Sequence, residues 1–166
     1  MINNISTCTN TINHKQFYIQ DDIANQPAYI KYDFGQFEVI NNTQKNINFL
    51  QIDDCLEFEN NNSRCDCVIF DDKVFCFIEL KTISSIKNTI KTKRRKKSEN
   101  QLRYTIEEFD KNGIIQHRNK EAFVSISCFQ DNKLSKVPNI NSQDTILEFE
   151  EDYKTTLYYE CKKEFK

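Results

Sequence analysis

Two almost unbroken apolar segments, separated by a short acidic turn, constrain the fold of this chain more than any other feature. They are residues 64–70 and 73–82 of the run RCDCVIFDDKVFCFIELKT, with Asp71 and Asp72 lying between them. Apolar runs rich in β-branched and aromatic residues and bounded by turn residues are typical of buried strands. Because both faces of the second segment are mostly apolar, we predict a β-hairpin at the centre of a sheet.

Three polar residues interrupt this hairpin, and the length of its turn decides whether they meet. Side chains alternate along a strand, so Glu79 and Lys81 share a face with Phe77. A two-residue turn places Asp66 diagonal to Glu79, at about 7–8 Å, and a four-residue turn places it directly opposite, at about 4.5–5.5 Å. A three-residue turn would separate the two carboxylates onto opposite faces, so only an even turn brings all three residues together.

Two carboxylates at such a spacing suit a hard divalent cation, Mg²⁺ or Mn²⁺, which binds through carboxylates, waters and phosphate oxygens. A neighbouring ammonium group orients a water molecule and offsets charge that develops on a phosphate. Asp66, Glu79 and Lys81 therefore predict metal-dependent phosphodiester hydrolysis. The alternative is a structural ion pair between Glu79 and Lys81 at the end of a strand, although buried ion pairs stabilise only weakly.

The arrangement Asp66-x12-Glu79-x-Lys81 across a hairpin, followed by a helix, resembles the PD-(D/E)XK nuclease superfamily. The stretch CDCVIFDDKVFCFIELKT, with NQLRYTI downstream, is similar to small uncharacterised bacterial members, and the resemblance covers roughly residues 66–129. It implies a restriction-endonuclease-like α/β core, in which a helix, three strands, a second helix and a strand form a mixed sheet.

The resemblance also implies roles for individual residues. Asp66 and Glu79 would bind Mg²⁺ or Mn²⁺ together with the carbonyl group of Leu80, Lys81 would be the catalytic lysine, and Gln101 would face the site from the helix.

The chain departs from the superfamily pattern in three places. Cys65 precedes Asp66 where the superfamily name has proline, and Gln101-Leu-Arg-Tyr104 is one residue shorter than the Gln-x-x-x-Tyr pattern of recombination nucleases. The glutamate that the first helix often contributes has only Glu38 and Glu57 as candidates. These departures leave open a second hypothesis, an inactive nuclease fold that binds nucleic acid or protein as a regulator. A third is a structural subunit of a larger complex.

A basic run follows the hairpin. Between Lys81 and Lys97 there are eight basic and no acidic residues, whereas the whole chain has a net charge of −2. Such a patch is either a solvated charged loop or a site for an anionic partner. Its position beside the predicted site favours nucleic acid, DNA rather than RNA, held through phosphate contacts. The predicted nucleic-acid-binding residues are Lys87, Lys91, Lys93, Arg94, Arg95, Lys96 and Lys97.

The remaining pattern predicts one domain, residues 1–166, of mixed α/β class. Ser98-x-x-Gln101 is a capping box that begins a helix ending near Gly113, and residues 83–100 are a basic loop or an extension of that helix. We predict a weakly ordered segment at 1–26, a strand or hairpin at 29–40, a strand at 47–59, a strand at 121–130 and a final pair at 146–149 and 155–165.

The seven cysteines are an odd number and most lie in apolar strands, so we expect buried free thiols, no zinc cluster and a cytoplasmic protein. No apolar run approaches the roughly 20 residues that span a bilayer, so no membrane partner is expected. The N-terminal residues do not have the pattern of a secretory signal.

A nuclease of this type would act as a homodimer or with a partner protein of a defence or repair system.

Overall fold

The structure, a computed structural model, describes residues 2–21, 27–60, 62–84, 86–130, 133–138 and 140–166. The elements of the described residues are β1 (Thr9–Ile12), β2 (Gln16–Gln20), β3 (Tyr29–Lys31), β4 (Phe37–Ile40), β5 (Ile47–Gln51), β6 (Cys67–Phe70), β7 (Val74–Ile83), α1 (Asn88–Lys111), β8 (Asn119–Gln130), β9 (Lys133–Lys136), α2 (Gln143–Tyr153), β10 (Thr155–Tyr158) and β11 (Lys162–Glu164). The expected mixed α/β class is confirmed.

The hairpin lies at the centre of a seven-stranded sheet with strand order β1-β5-β6-β7-β8-β10, and β9 pairs with β8. Strand β6 runs antiparallel to both of its neighbours, β5 and β7, whereas β7 and β8 are parallel. Parallel neighbours require a crossover connection, and α1 provides it. The central position of the hairpin explains why β7 is apolar on both faces.

Each face of this sheet carries its own apolar layer. On one side α1 packs Leu102, Ile106 and Phe109 against the sheet row that contains Phe77. On the other side a four-stranded sheet, with order β11-β4-β2-β3, buries its own apolar residues against β6 and β7. Because side chains alternate along a strand, Glu79 and Lys81 point to the same face of the sheet as Phe77, the face that α1 covers.

Helix α1 begins ten residues before the predicted capping box, so residues 88–97 of the basic run are helical. Lys, Arg, Glu and Gln are good helix formers, and no glycine or proline interrupts residues 88–111. Ser98 is therefore buried in the middle of a helix and is not its cap. The predicted stop is confirmed: Gly113 has φ of +66°, and the amide of Ile114 donates to the carbonyl of Phe109, as in a Schellman motif.

The N-terminal segment is ordered where it is described, so the prediction of a weakly ordered segment at 1–26 is wrong for these residues. Residues 9–12 and 16–20 form β1 and β2, whose Phe17 and Ile19 are fully buried. Pairing with β4 and β5 stabilises strands whose own composition is polar. Residues 1 and 22–26 lie outside the described part of the chain.

Four predicted strand segments need correction. The strand expected at 146–149 is part of α2, where Thr145 and Phe149 are buried one turn apart. The strand expected at 47–59 ends at Gln51 and is followed by a turn. Residues 29–40 and 155–165 each form two short strands that do not pair with each other, because β2 lies between β3 and β4, and β10 and β11 belong to different sheets.

Cys8 and Cys55 form a disulfide, with their Cα atoms 5.8 Å apart, so the expectation of free thiols is wrong for this pair. The remaining cysteines are free, and four of them, Cys65, Cys67, Cys76 and Cys128, are buried. The bond links the turn before β1 to the turn after β5. Within the described ranges, neither helix has the length and apolar character needed to cross a bilayer.

Candidate functional site

The hairpin turn has four residues rather than two, and this brings the two predicted carboxylates together. Phe70 pairs with Phe75, and the side chain of Asp71 accepts hydrogen bonds from the amides of Lys73 and Val74, both at 2.8 Å. These bonds stabilise the wider loop. Continuing the register by one residue beyond β6 places Asp66 directly opposite Glu79, on the face covered by α1.

Glu79 is the least solvated charged residue of the site. Its side chain has 0% exposure, and its Oε1 lies 2.5 Å from Nζ of Lys81. Its Oε2 has no hydrogen-bond partner among the described residues. Burial and the charge of Asp66 raise the pKa of Glu79 well above its usual range. A buried carboxylate oxygen without a hydrogen-bond partner lowers the stability of the folded state.

Asp66 is also buried, and it is held by the backbone of the opposite strand. Its Oδ2 accepts a hydrogen bond of 2.5 Å from the amide of Leu80. Burial raises the pKa of Asp66 to about 7, although the charge of Lys81 and the Leu80 amide lower it. At neutral pH the carboxylate is therefore poised between its charged and neutral forms, and a nearby cation would favour the charged one.

Lys81 remains an ammonium ion. Burial alone would lower its pKa, but the charges of Glu79 and Asp66 outweigh burial, and the net shift is upward. A lysine with a raised pKa donates hydrogen bonds and supplies positive charge, and it is not a proton acceptor at neutral pH. Its chemical role at this site is therefore electrostatic.

Gln101 contacts the segment that leads into Asp66. Its Nε2 donates to the carbonyl of Arg64 at 2.6 Å, and the amide of Cys65 donates to the hydroxyl of Thr105 at 2.9 Å. That hydroxyl donates to the carbonyl of Gln101 at 2.7 Å. One turn of α1 thus fixes the two residues before Asp66, which makes Gln101 a positioning residue in this geometry.

Sequence reasoning missed two aspartates at the rim of the site. Asp53 follows β5, and partial desolvation raises its pKa to about 6, while the charge of Lys81 lowers it and that of Asp21 raises it. The charge of Asp21 also raises the pKa of Asp66. The Asp53-Asp54 pair is a common turn sequence. If the predicted strand had been ended there, Asp53 would have been placed beside Asp66, where β5 ends and β6 begins.

Sequence reasoning also missed Gln36. This residue connects the small sheet to the end of β7 that carries Lys81. Its Oε1 accepts from the amide of Asp21 at 2.6 Å, and its Nε2 donates to the hydroxyl of Thr82, next to Lys81, at 2.7 Å. A buried glutamine in a polar loop has no distinctive sequence pattern. Only the folded structure, in which Gln36 bonds two segments distant in the chain, identifies it.

The predicted nucleic-acid-binding residues divide into two groups on α1 and just before it. Lys91 and Arg95 are partly buried, and Arg95 contacts the carboxylate of Glu99 at 3.2 Å and the carbonyl of Asn141 at 3.1 Å. The others are exposed: Lys87, Lys93, Arg94, Lys96 and Lys97. The run is therefore a charged helical surface that begins one short loop after β7.

The two glutamates considered as first-helix candidates lie elsewhere. Glu38 is on β4 and contacts Gln16 and Lys162, and Glu57 forms an isolated bridge with Asn3. The part of the chain that is described contains no set of three His, Cys, Asp or Glu side chains arranged around one metal position. Asp66 and Glu79 fit a cation that takes one or two carboxylates and completes its shell with water, because Glu79 keeps an unpartnered oxygen.

Comparisons with protein-family models, curated proteins and solved structures found no match to this chain.

Proposed function

We propose that this protein is a metal-dependent nuclease of the PD-(D/E)XK type, with Asp66 and Glu79 as ligands to Mg²⁺ or Mn²⁺. One observation carries the proposal: a fully buried glutamate lies opposite a buried aspartate and against a lysine, at the end of an otherwise apolar sheet face. Such a group costs stability, and a hydrolytic site is the function that best accounts for it.

The order of elements supports this proposal. Strands β5, β6 and β7 are antiparallel neighbours, α1 crosses over, and β8 runs parallel to β7. This succession corresponds to the three strands, helix and strand of the restriction-endonuclease-like core. The helix that precedes the three strands in that core has no counterpart in the described residues before β5, where the chain forms β1 to β4.

Each residue of the site would have a separate role in hydrolysis. A bound Mg²⁺ would polarise the scissile phosphate and lower the pKa of a bound water. Asp66 and Glu79, with the carbonyl of Leu80, would hold the ion. Lys81 would donate hydrogen bonds to the attacking water or to a phosphate oxygen and stabilise the charge that develops there. Gln101 would keep the segment before Asp66 in place through Arg64.

The basic helix supports nucleic acid as the substrate. Residues 87–97 place seven basic side chains just beyond the carboxyl end of β7, where Lys81 lies. Phosphate contacts from such a surface would supply most of the affinity and would make binding depend on salt. We favour DNA over RNA as the substrate, and a protein that acts as a homodimer or with a partner protein.

A second function, nucleic-acid binding without catalysis, is favoured by a different observation. Glu79 already has Lys81 as an ion-pair partner at 2.5 Å, and this contact neutralises one of the two charges that a metal would need. In that case the fold would bind nucleic acid through α1 and leave it intact.

Cleavage assays test between these functions. Purified protein is incubated with circular DNA, linear DNA and RNA in the presence of Mg²⁺, Mn²⁺ or EDTA, alongside Glu79→Gln and Lys81→Met. We expect metal-dependent cutting that both substitutions reduce by at least about a hundredfold, the size of effect typical for losing one transition-state contact. Lys162→Met is the matched control, since Glu160-Cys161-Lys162 is a second Glu-x-Lys whose lysine is the exposed first residue of β11.

Cutting that persists in both site variants would refute the assignment of the hairpin. Binding without cutting by the wild type would favour the second function. Isothermal titration of Mn²⁺ into wild type and Glu79→Gln measures the metal site separately from hydrolysis.

A further inference from the structure

A cleft lies between the first turns of α1 and the segment that follows β9. It has a volume of about 440 Å³, and its lining is almost entirely composed of hydrogen-bond donors and cations. The lining residues are Asn88, Lys91, Thr92, Arg95 and Ile140. None of these described lining residues is acidic, although the protein as a whole has a net charge of −2.

The cleft lies on the β8 side of Lys81. Lys81 pairs in register with Ile126 on β8, and the carbonyl of Ile126 accepts a hydrogen bond of 3.0 Å from the amide of Val137. Strand β8 lies between β7 and the segment that begins at Val137, so this segment starts two strand spacings from Lys81, about 10 Å in the hydrogen-bonding direction. Asp66 lies on the opposite side, before β6. Lys81 is thus between the carboxylates and the cleft.

The cation at one wall of the cleft is held in a defined orientation. The Nε of Arg95 lies 3.2 Å from Glu99, and Nη1 donates to the carbonyl of Asn141. Glu99 is buried and also accepts a hydrogen bond of 2.6 Å from the hydroxyl of Tyr159. These contacts engage Nε and Nη1 of the guanidinium, so the N–H groups of Nη2 can donate to a ligand in the cleft. Orienting a guanidinium in advance reduces the entropy lost when it binds an anion.

Two further properties favour an anion at this position. The first turn of α1 contains no acidic side chain, so the positive end of the helix dipole is not neutralised there. Lys91 lies one turn from Arg95 on the same side of the helix, so both cations face the same space. The exposed lysines of the basic run lie on other sides of α1.

We propose that this cleft is a subsite for one backbone phosphate of the nucleic-acid strand, on the β8 side of the phosphate at Asp66, Glu79 and Lys81. The inference rests on the proposed nuclease function and deepens it. It assigns Lys91 and Arg95 a localised contact and leaves the exposed basic residues a long-range electrostatic role. The bound strand would run across the ends of β7 and β8, from the cleft past Lys81 to the carboxylates.

The test compares Lys91→Ala with Lys96→Ala, which removes the same charge from the same helix at a position about 140° around its axis. Binding of labelled single-stranded DNA, duplex DNA and RNA is measured by fluorescence anisotropy in EDTA, where metal-dependent cutting cannot occur, over a range of salt concentrations. We expect Lys91→Ala to weaken binding about tenfold more than Lys96→Ala. We also expect it to reduce the salt slope by about 0.7–0.9, as loss of one phosphate contact does.

Oligonucleotides with a single uncharged methylphosphonate linkage locate the contact. The wild type should lose affinity when one particular linkage is uncharged, and Lys91→Ala should be indifferent to that linkage. Equal weakening by Lys91→Ala and Lys96→Ala would overturn the subsite. Displacement by millimolar inorganic phosphate with no sensitivity to any linkage would also overturn it, because the cleft would then bind free anions.

These outcomes separate the subsite from the nuclease function. Wild-type cutting together with equal effects of the two substitutions refutes the subsite alone. Binding that depends on Lys91 without any cutting supports the subsite and refutes catalysis. No binding of any nucleic acid at low salt refutes both.

Discussion

At the scale of single residues, the site combines three charges in a place where charge is expensive. Glu79 and Asp66 are almost fully buried, and Lys81 neutralises only one of them. The raised pKa of both carboxyls expresses this cost, because burial favours the neutral acid. Groups that reduce stability in this way are typical of sites where function takes precedence over stability.

The raised pKa of Asp66 predicts how stability changes with pH. Its pKa is about 7 in the folded protein against 3.8 ordinarily, so the folded state keeps a proton that the unfolded state releases. Unfolding releases that proton, and rising pH therefore lowers stability between about pH 4 and 7. We expect Asp66→Asn to be more stable than wild type at pH 8 in EDTA by about 1–3 kcal/mol, with the difference vanishing near pH 4.

Urea unfolding at pH 4, 6 and 8 measures this difference. Asp72→Asn, at an exposed position of the hairpin turn, is the control and should follow the wild type. A variant that is less stable than wild type at pH 8 would contradict the prediction. Adding Mn²⁺ at pH 8 should stabilise the wild type and not Asp66→Asn, because only the wild type has both ligands.

At the scale of elements, α1 has two parts with different surroundings. Its second half is anchored by Leu102, Ile106 and Phe109, which are fully buried against the sheet. Its first half is mostly exposed and strongly basic, with Ile90 as its apolar contact to the core. The packed half fixes the direction of the helix, so the basic half is carried beyond the end of β7.

Phe109 should be the main anchor of this helix. Its ring packs edge-on against Phe75 and Phe77, with ring centroids 5.8 Å and 5.6 Å away. We expect Phe109→Ala to lower the free energy of unfolding by about 3–5 kcal/mol. Tyr104→Ala, at a helix position that is 44% exposed, should change it by less than about 0.5 kcal/mol. Denaturant unfolding of both variants checks this difference.

The disulfide between Cys8 and Cys55 links two turns at neighbouring strands, β1 and β5. It spans a sequence separation of 47 residues, and closing a loop of that size in the unfolded chain stabilises the folded state by about 2–4 kcal/mol. We expect the double substitution Cys8→Ser and Cys55→Ser to lower the thermal midpoint, and reducing agent to lower it for the wild type only. If reducing agent lowers the midpoint of both proteins equally, the bond does not stabilise the fold.

At the scale of the whole molecule, the seven-stranded sheet is covered on both faces, by α1 on one and by the small sheet on the other. The two apolar layers share the backbone of β6 and β7. Gln36 adds a polar link between the small sheet and β7, next to the site, through Thr82. The site is therefore supported from both sides of the sheet.

Sharing one sheet predicts cooperative unfolding. Ile69→Ala weakens the layer beneath the small sheet and Phe77→Ala the layer beneath α1, and each should cost about 2–5 kcal/mol. Both variants should unfold in one transition, with the same midpoint by far-ultraviolet circular dichroism and by tyrosine fluorescence. Two separated transitions in either variant would show that the layers unfold independently.

The sequence by itself determined the hairpin, the helix that follows it and the strand at 121–130, because long apolar runs and a glycine stop are local properties of the chain. It also predicted that Glu79 and Lys81 share a face, since alternation follows directly from strand geometry. The turn length stayed ambiguous in the sequence. The side chain of Asp71, which bonds the amides of Lys73 and Val74, selected the four-residue loop.

Tertiary structure alone decided the remaining features. Polar strands such as β1 and β2 depend on pairing with distant β5 and β4, and 143–153 is helical because it buries Thr145 and Phe149. Asp53, Asp21 and Gln36 come close to the site only because loops from different strands meet at the same end of the sheet. The physical reason is that local propensity and periodicity act over a few residues, whereas burial and charge at the site come from segments far apart in the chain.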